Sequence, residues 1–235
     1  MGLNKVKGNM YGFITHTWNP IQGRCNHNCK YCYMNTVRDR YKKFDTPVQL
    51  RENYFNDNLG HEKYIFIGSS TDIFADDVPL EWILRVFDYA KLFDNNYLIQ
   101  TKNQFRAIYV IGRWNIPVDS VLCTTLETNR YHIDLYSDVC PSPIIRAAHF
   151  KNWADKKMIT IEPIMDFDPI LFSEMIINCE PFQVNIGADS GGNKLPEPPR
   201  EKIEELIELL APYTTIHLKK NLRRILPESR YYGTT

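Results

Sequence analysis

Three of the six cysteines in this 235-residue chain fall within eight residues, at Cys25, Cys29 and Cys32. The C-x3-C-x2-C spacing places three thiols on one short loop, which is what a metal ion or a metal cluster needs. A disulfide framework would leave one of the three thiols unpaired. Iron–sulfur clusters are normally held by four cysteine thiolates, so a four-iron cluster on these three would keep one iron open. This loop constrains the chain more than any other stretch.

A structural zinc ion is the alternative at this loop, with His27 as its fourth ligand. Structural zinc sites usually combine two C-x2-C-like pairs, or one such pair with two histidines, and the chain contains no second pair. The spacing therefore favours the cluster. The other cysteines, Cys123, Cys140 and Cys179, stand far apart in the sequence, and we expect them to be buried as small apolar side chains.

The composition of the chain excludes few classes of function. The 28 basic residues balance the 28 acidic residues, so the net charge indicates neither nucleic-acid nor membrane binding, and an anionic partner would have to be bound locally. The first ten residues contain no apolar run, and no stretch approaches the ~20 apolar residues of a membrane span. We expect one catalytic domain over residues 1–235. We also expect a cytoplasmic protein, because a reducing compartment preserves unpaired thiols.

Apolar runs of strand length alternate with helical patterns along the chain. The strand-like runs are Tyr11–Trp18, Tyr64–Thr71, Tyr97–Thr101, Val121–Glu127, Met158–Glu162, Phe182–Asp189 and Thr214–Lys219. The clearest helical patterns are residues 79–93 and 198–210, each with a proline near its start and apolar residues at helical spacing. This alternation predicts an α/β protein with a parallel sheet and right-handed crossovers. An open doubly wound sheet and a barrel both fit it.

Polar residues close the predicted strands. Ligands of parallel α/β folds bind at the carboxyl ends of the strands, so these residues are candidates for a site. They are Thr17, Ser70, Asp72, Gln100, Lys102, Thr125, Glu127, Glu162, Asp189 and either His217 or Lys219. A buried carboxylate is costly unless it is paired or used, so Glu162 and Asp189 in particular indicate contacts to a polar ligand.

The cysteine loop resembles the motif of the radical SAM superfamily, C-x3-C-x-aromatic-C, with Tyr31 as the aromatic residue. The resemblance implies a partial (β/α)6 TIM-like barrel in which the cysteine loop follows the first strand. It implies a [4Fe-4S] cluster on Cys25, Cys29 and Cys32 whose open iron binds S-adenosyl-L-methionine. It further implies reductive cleavage to a 5′-deoxyadenosyl radical, which abstracts a substrate hydrogen, and an external electron donor such as flavodoxin or ferredoxin.

The same resemblance suggests roles for the strand ends. Residues 69–72 stand where the superfamily binds the methionyl amino group of the cofactor, although its usual Gly-Glu pair is absent; the alternative is a loop that caps the next helix. Glu127 stands where the superfamily contacts the ribose hydroxyls; the alternative is an exposed loop carboxylate. The cofactor-binding candidates are Tyr31, Ser69, Ser70, Thr71, Asp72, Thr125 and Glu127, and the candidates for catalysis are Glu162, Asp189 and Lys219.

Four further stretches are similar to a compact branch of radical SAM proteins that is common in bacteriophages and mobile elements. They are residues 17–20, 70–72, 161–163 and 187–191. Asp189 departs from that branch, which usually has glutamate there. The cysteine motif, ending Tyr-Cys-Tyr, is also similar to that of the spore photoproduct lyases, which repair a thymine dimer in DNA. For a phage-encoded member, the cytoplasm would be that of the host.

Two basic runs bear on the substrate. They are Arg38, Arg40, Lys42 and Lys43, interleaved with Tyr41 and Phe44, and Lys219, Lys220, Arg223 and Arg224. We expect them to follow the first and last strands, at the two edges of the unclosed barrel, where they would attract phosphates. Exposed helix faces are the alternative.

Three functions are compatible with these observations. One is a radical enzyme acting on a nucleotide or DNA base, in phage-type modification or repair. The second is a radical enzyme acting on a small metabolite. The third is a zinc-stabilised, non-catalytic binding protein. For a radical enzyme, the choice among isomerase, lyase and oxidoreductase stays open.

Overall fold

The structure is a computed structural model that describes residues 2–6, 10–114, 119–130, 132, 135–153 and 156–232. The predicted role of Lys43 lies outside the described side chains. The described residues form an eight-stranded sheet, a two-stranded sheet and six α-helices. No helix among them is both long enough and apolar enough to span a membrane.

The strands and helices alternate along the chain. The strands are β1 (Leu3–Lys5), β2 (His16–Trp18), β3 (Ile21–Gln22), β4 (Gln49–Leu50), β5 (Tyr64–Ile67), β6 (Asn96–Thr101), β7 (Ser120–Thr125), β8 (Lys157–Ile161), β9 (Gln183–Ile186) and β10 (Thr215–Leu218). The α-helices are α1 (Tyr33–Arg40), α2 (Leu80–Ala90), α3 (Gln104–Arg113), α4 (Pro143–Phe150), α5 (Pro169–Ile177) and α6 (Arg200–Leu210). Short 3-10 helices span Lys42–Phe44, Glu52–Asn56 and Lys220–Arg224.

The large sheet has the strand order β1-β2-β5-β6-β7-β8-β9-β10. Its strands from β2 to β10 are parallel to their neighbours, and the crossovers carry the helices. This is the predicted α/β class with a partial TIM-like barrel. The prediction that β2 forms one edge of the unclosed barrel is wrong, because β1 pairs antiparallel with β2, Leu3 opposite Trp18. The short, mostly polar sequence of β1 gave no strand signal.

Two apolar clusters lie on opposite faces of the sheet. Along β5, Ile65 and Ile67 join the large cluster with the helices, whereas Phe66 between them joins a small cluster. Alternate residues of a strand point to opposite faces, so the small cluster fills the inside of the barrel. Its buried members are Tyr11, Ile14, Phe66, Leu98, Cys123 and Met158.

The start of the predicted first strand has a different role. Only His16–Trp18 pairs in the sheet, and Tyr11 and Ile14 instead pack on the inward side chains of β5 to β8. This segment therefore closes the interior of the barrel beneath the candidate site.

Candidate active site

A cavity of about 410 Å³ lies at the carboxyl ends of the parallel strands. The predicted site residues that line it are Cys25, Cys29, Cys32, Tyr31, Ser69, Ser70, Thr71, Asp72, Thr125, Glu162, Asp189 and Lys219. Gln100 and Lys102 line it as well, whereas the candidates Thr17, Glu127 and His217 do not. The cavity is also lined by Met10, Tyr11 and Tyr33, which the sequence did not suggest as site residues, and by His27 and Arg38. Strands that are distant in sequence thus bring their ends to one opening.

The cysteine loop is shaped by two consecutive turns. The backbone N–H of Asn28 donates to the carbonyl of Cys25, and that of Cys32 donates to the carbonyl of Cys29, at 3.4 and 3.1 Å. Asn28 has a φ of 43°, in the left-handed region that asparagine tolerates. Helix α1 begins directly after Cys32, and its Asn35 amide donates to the carbonyl of Cys29. All three cysteines are free thiols.

His27 lies inside this loop but faces Asp72. The side chain of His27 is buried, and its Nδ1 is 3.3 Å from Oδ2 of Asp72. The same oxygen accepts from the backbone N–H of Lys102 and the hydroxyl of Thr101, at 2.7 and 3.0 Å, and Oδ1 accepts from the N–H of Phe74. Burial alone would raise the pKa of Asp72, but these partners, His27 first, hold the pKa below its ordinary value. Protein donors thus contact both oxygens of the predicted cofactor-binding carboxylate.

The charges around Cys29 favour its thiolate. A hydrogen bond from Cys140 and the positive charge of Lys102 lower the pKa of Cys29, against the opposing effect of burial. Burial disfavours the charged form of Lys102, yet Cys29 and Glu127 raise its pKa. The ammonium of Lys102 lies 5.5 Å from the centre of the Tyr31 ring.

The other cysteines differ from Cys29. Burial first, and then the charge of Asp72, raise the pKa of Cys25 to about 12. Cys140 is buried as expected, but it does not stand alone, because it contacts Cys29. The contact arises because the segment around Ser137 packs on the cysteine loop, with its N–H donating to the carbonyl of His27 at 3.0 Å.

Glu127 lies beneath the site rather than on its rim. Its side chain and that of Arg146 are both fully buried, and Nη1 of Arg146 is 2.9 and 3.1 Å from the two carboxylate oxygens. The hydroxyl of Tyr31 also donates to Glu127. Burial would raise the pKa of Glu127, but Arg146 and Lys102 outweigh it and lower the pKa. This carboxylate, which sequence reasoning assigned to ribose, is instead held in a closed ion pair that links the cysteine loop to α4.

Glu162 and Lys219 meet across an intervening strand. Glu162, Gly187 and Lys219 each directly follow the last residue of β8, β9 and β10, and these last residues are paired with one another. The ammonium of Lys219 donates to Oε2 of Glu162, and the amide of Asn221 donates to Oε1 at 2.7 Å. A Cβ at position 187 would lie 2.8 Å from Oε1 of Glu162. Glycine between the two charged residues therefore gives the ion pair its room.

Tyr11 connects this ion pair to the other side of the cavity. Its hydroxyl donates to the amide oxygen of Gln100 at 2.8 Å, and the amide nitrogen of Gln100 donates to the hydroxyl of Thr125 at 3.0 Å. The ammonium of Lys219 lies 4.6 Å from the centre of the Tyr11 ring. Burial raises the pKa of Tyr11 well above its ordinary value, so the hydroxyl stays neutral. The apolar pattern of residues 11–18 concealed this role.

Asp189 lines the cavity, but its oxygens serve its own loop. They accept from the N–H of Gly191 at 3.1 Å, and from the N–H and side-chain amide of Asn193 at 2.5 and 2.7 Å. Asp189 therefore closes the turn after β9.

The loop after β5 is fixed from below by β2 and α1. Asn19 Oδ1 accepts from the hydroxyl of Ser69 and from the N–H of Ser70, both at 3.1 Å, and the hydroxyl of Tyr33 donates to the carbonyl of Ser69. The hydroxyl of Thr71 donates to the carbonyl of Gly23 at 2.8 Å. The hydroxyls of Ser69 and Thr71 therefore hold the loop in place, and the Ser70 side chain lines the cavity.

The two basic runs do not form uniform surfaces. Lys219 lies in the cavity with Glu162, and Arg224 pairs with Glu197. Arg38 is buried. The exposed members are Arg40, Lys42, Lys220, Arg223 and Arg224.

Comparison with known proteins gives a family and a fold. The family model described as "Protein of unknown function (DUF5131)" matches residues 10–167. No curated protein matches the sequence. Among solved structures, a mutant of spore photoproduct lyase aligns with a TM-score of 0.61 at 10% identity, covering 90% of this chain and 78% of that chain.

Two further structures of spore photoproduct lyase also match. One, with bound AdoMet and dinucleoside spore photoproduct, has a TM-score of 0.52 at 13% identity and covers 95% of this chain and 64% of that chain. Another mutant with the dinucleoside has a TM-score of 0.55 at 12% identity, with 87% and 63% covered. This chain therefore spans about 63% of the length of that relative, and the likeness concerns the fold.

Proposed function

Since the chain belongs to the DUF5131 family of proteins of unknown function, we propose its activity from the site: it is a radical SAM enzyme with a [4Fe-4S] cluster on Cys25, Cys29 and Cys32. One observation carries the proposal. The three thiols open into the same cavity as the polar strand ends, at the carboxyl edge of a parallel sheet, where α/β folds bind their ligands. The similarity in fold to spore photoproduct lyase supports it.

The residues at this loop fit such a cluster better than a single zinc ion. Nδ1 of His27 contacts Asp72, so Nε2, which is buried without a hydrogen-bond partner among the described residues, is the atom that a zinc ion would take. The described residues, however, contain no group of three or more His, Cys, Asp or Glu side chains arranged to hold one metal ion. A cluster of several irons needs its thiols further apart than one ion does. Lys102 supplies positive charge next to Cys29. The raised pKa of Cys25 does not prevent it from binding the cluster, because a coordinating thiol loses its proton outright.

The side chains of the cavity supply binding and orientation. When bound, the cluster and S-adenosylmethionine supply a 5′-deoxyadenosyl radical that abstracts a hydrogen from the substrate. Lys102 offsets the negative charge of the thiolates. The side chain of Ser70 faces the polar end of a ligand, and the Glu162–Lys219 pair holds one donor and one acceptor at the opposite strand ends. Phe66 and Tyr11 close the floor, which keeps water from the reacting atoms.

We further propose that the substrate is a nucleotide or a DNA base and that a flavodoxin or ferredoxin supplies the electron. A dinucleoside is bound in one of the similar structures, which supports a nucleotide over a small uncharged metabolite. We propose that residues 1–235 act as one radical SAM domain.

Anaerobic reconstitution with iron and sulfide tests the proposal. The expected product is a brown protein that is bleached by dithionite, holds about four irons and four sulfides, and converts S-adenosylmethionine into 5′-deoxyadenosine and methionine. Alanine at Cys25, Cys29 or Cys32 should remove the iron and the cleavage together. Cys179→Ala is the matched control, because this buried thiol contacts the carbonyls of Ala147 and Met175 instead of the cavity. A colourless protein that retains zinc, or full cleavage in Cys29→Ala, contradicts the proposal.

A further inference from the structure

Arg38 is a buried cation without an acidic partner. It lies on α1, is 4% exposed and lines the cavity. Its Nη1 donates to the side-chain oxygen of Asn35 at 3.1 Å, and its Nη2 donates to the carbonyl of Gly23 at 3.4 Å. Its Nε is buried and has no hydrogen-bond partner among the described residues. No carboxylate of the described part of the chain lies within ion-pair distance of it.

Two other cations near the site do have acidic partners. Arg146 is paired with Glu127, and Lys219 is paired with Glu162. A buried charge is costly unless it is paired, and a buried N–H without an acceptor adds to that cost. Two bonds to neutral oxygens, one of them long, do not supply the missing negative charge. An anion bound in the cavity that Arg38 lines would supply it.

The loop after β5 packs beside Arg38. Thr71 donates to the Gly23 carbonyl that also accepts from Arg38, so the guanidinium lies against the loop after β5. The side-chain hydroxyl of Ser70, which lines the cavity, has no partner among the described residues. Arginine can bind phosphate with two parallel hydrogen bonds, and the Ser70 hydroxyl in the same cavity is a further donor for an oxyanion.

We propose that Arg38 binds an oxyanion group of a ligand in this cavity and that this group is a phosphate of the substrate. The cofactor is the weaker candidate, because the ammonium and sulfonium of S-adenosylmethionine outnumber its one carboxylate. A nucleotide, in contrast, brings the net negative charge that Arg38 lacks. The assignment to the substrate rests on the proposed function, whereas the binding of an oxyanion by Arg38 does not require the cluster.

Thermal unfolding and calorimetry on the full, cluster-free chain test the anion site. The probes are inorganic phosphate and thymidine 5′-monophosphate, with thymidine and chloride at equal ionic strength as references. Because a ligand that binds only the folded state stabilises it, the two phosphates should raise the Tm, and the nucleotide should bind at least about tenfold more tightly than the nucleoside. Arg38→Gln should abolish the difference. Arg200→Gln, whose exposed side chain on α6 pairs with Glu204 and does not line the cavity, should keep it.

Two further results complete the test. On the reconstituted protein, Arg38→Gln should leave the Kd of S-adenosylmethionine unchanged; a selective loss of S-adenosylmethionine affinity instead overturns the assignment to the substrate phosphate. Equal nucleotide binding by wild type and Arg38→Gln overturns the oxyanion site itself. If Arg38→Gln does not fold, the test uses the wild-type protein alone. Equal affinity of the wild type for nucleotide and nucleoside then overturns the oxyanion site. Cluster assembly and cleavage are measured separately, so the two proposals can fail independently.

Discussion

Gly187 determines where the side chain of Glu162 can lie. A Cβ at this position would be 2.8 to 3.0 Å from three atoms of Glu162, and Lys219 and Asn221 hold that side chain in place. Gly187→Ala should therefore destabilise the protein by about 1–3 kcal/mol, as overpacking does, and should lower activity. Urea unfolding measures the change. Gly112→Ala in α3, where a Cβ meets no atom within 4 Å, should instead stabilise by roughly 0.5–1 kcal/mol. Equal unfolding free energies in the two variants would contradict this account.

The burial of Glu127 gives its substitution a different expected outcome from that of a rim carboxylate. A ribose contact would predict weaker cofactor binding with an intact fold. Glu127→Gln instead leaves Arg146 buried without its charge partner, so we expect a loss of about 3–5 kcal/mol in unfolding free energy. Glu52→Gln is the control, since its pair with Arg85 is exposed and such pairs contribute under about 1 kcal/mol. Wild-type stability in Glu127→Gln is the contrary result.

At the scale of elements, Asp72 joins the loop after β5 to the cysteine loop and to β6. Its pKa is lower in the folded protein, so the stabilisation is complete above the unfolded value of about 3.9 and is lost as the pH falls through the folded value. The unfolding free energy should thus fall as the pH is lowered below about 4. Asp72→Asn should be less stable at neutral pH and show a weaker dependence. Urea unfolding between pH 3 and 7 measures both, with Asp39→Asn on the exposed face of α1 as control.

If the unfolding free energy of Asp72→Asn depended on pH as strongly as that of the wild type, the proposed link between this carboxylate and the loop would be wrong.

The same elements show what the sequence could predict. Strand ends follow from apolar runs that stop at polar residues, and parallel topology gathers those ends. Contacts such as that between Ser137 and Asn26, at 2.5 Å, join segments more than 100 residues apart, and no local pattern encodes them. The positions of Cys140 and Arg146 depend on such contacts, so their place beside the cysteine loop was not predictable.

At the scale of the whole molecule, a neutral chain distributes its charges unevenly. Exposed Arg40 and Lys42 lie next to Tyr41, whose ring is about half exposed and meets Phe44 edge to face at 6.5 Å. Lys220 and Arg223 are exposed after β10. The sequence indicated both runs and placed Lys219 at a strand end in the site, but it could not show that Arg38 turns inward, because a charged residue in a helix carries no sign of burial.

These exposed cations predict weak, salt-dependent binding of single-stranded DNA outside the cavity. For about four phosphate contacts, the slope of log K against log salt should be near −3, at roughly −0.7 per contact. The double variant Arg40→Glu with Lys220→Glu should flatten the slope and weaken binding. Lys156→Glu is the control, since this exposed lysine precedes β8, at the end of the sheet opposite the cavity, and pairs with Asp119. Fluorescence anisotropy of a labelled oligonucleotide across a salt series measures all three. Binding that does not change with salt, or no binding, would favour a small metabolite, because a substrate without phosphates has no use for these charges.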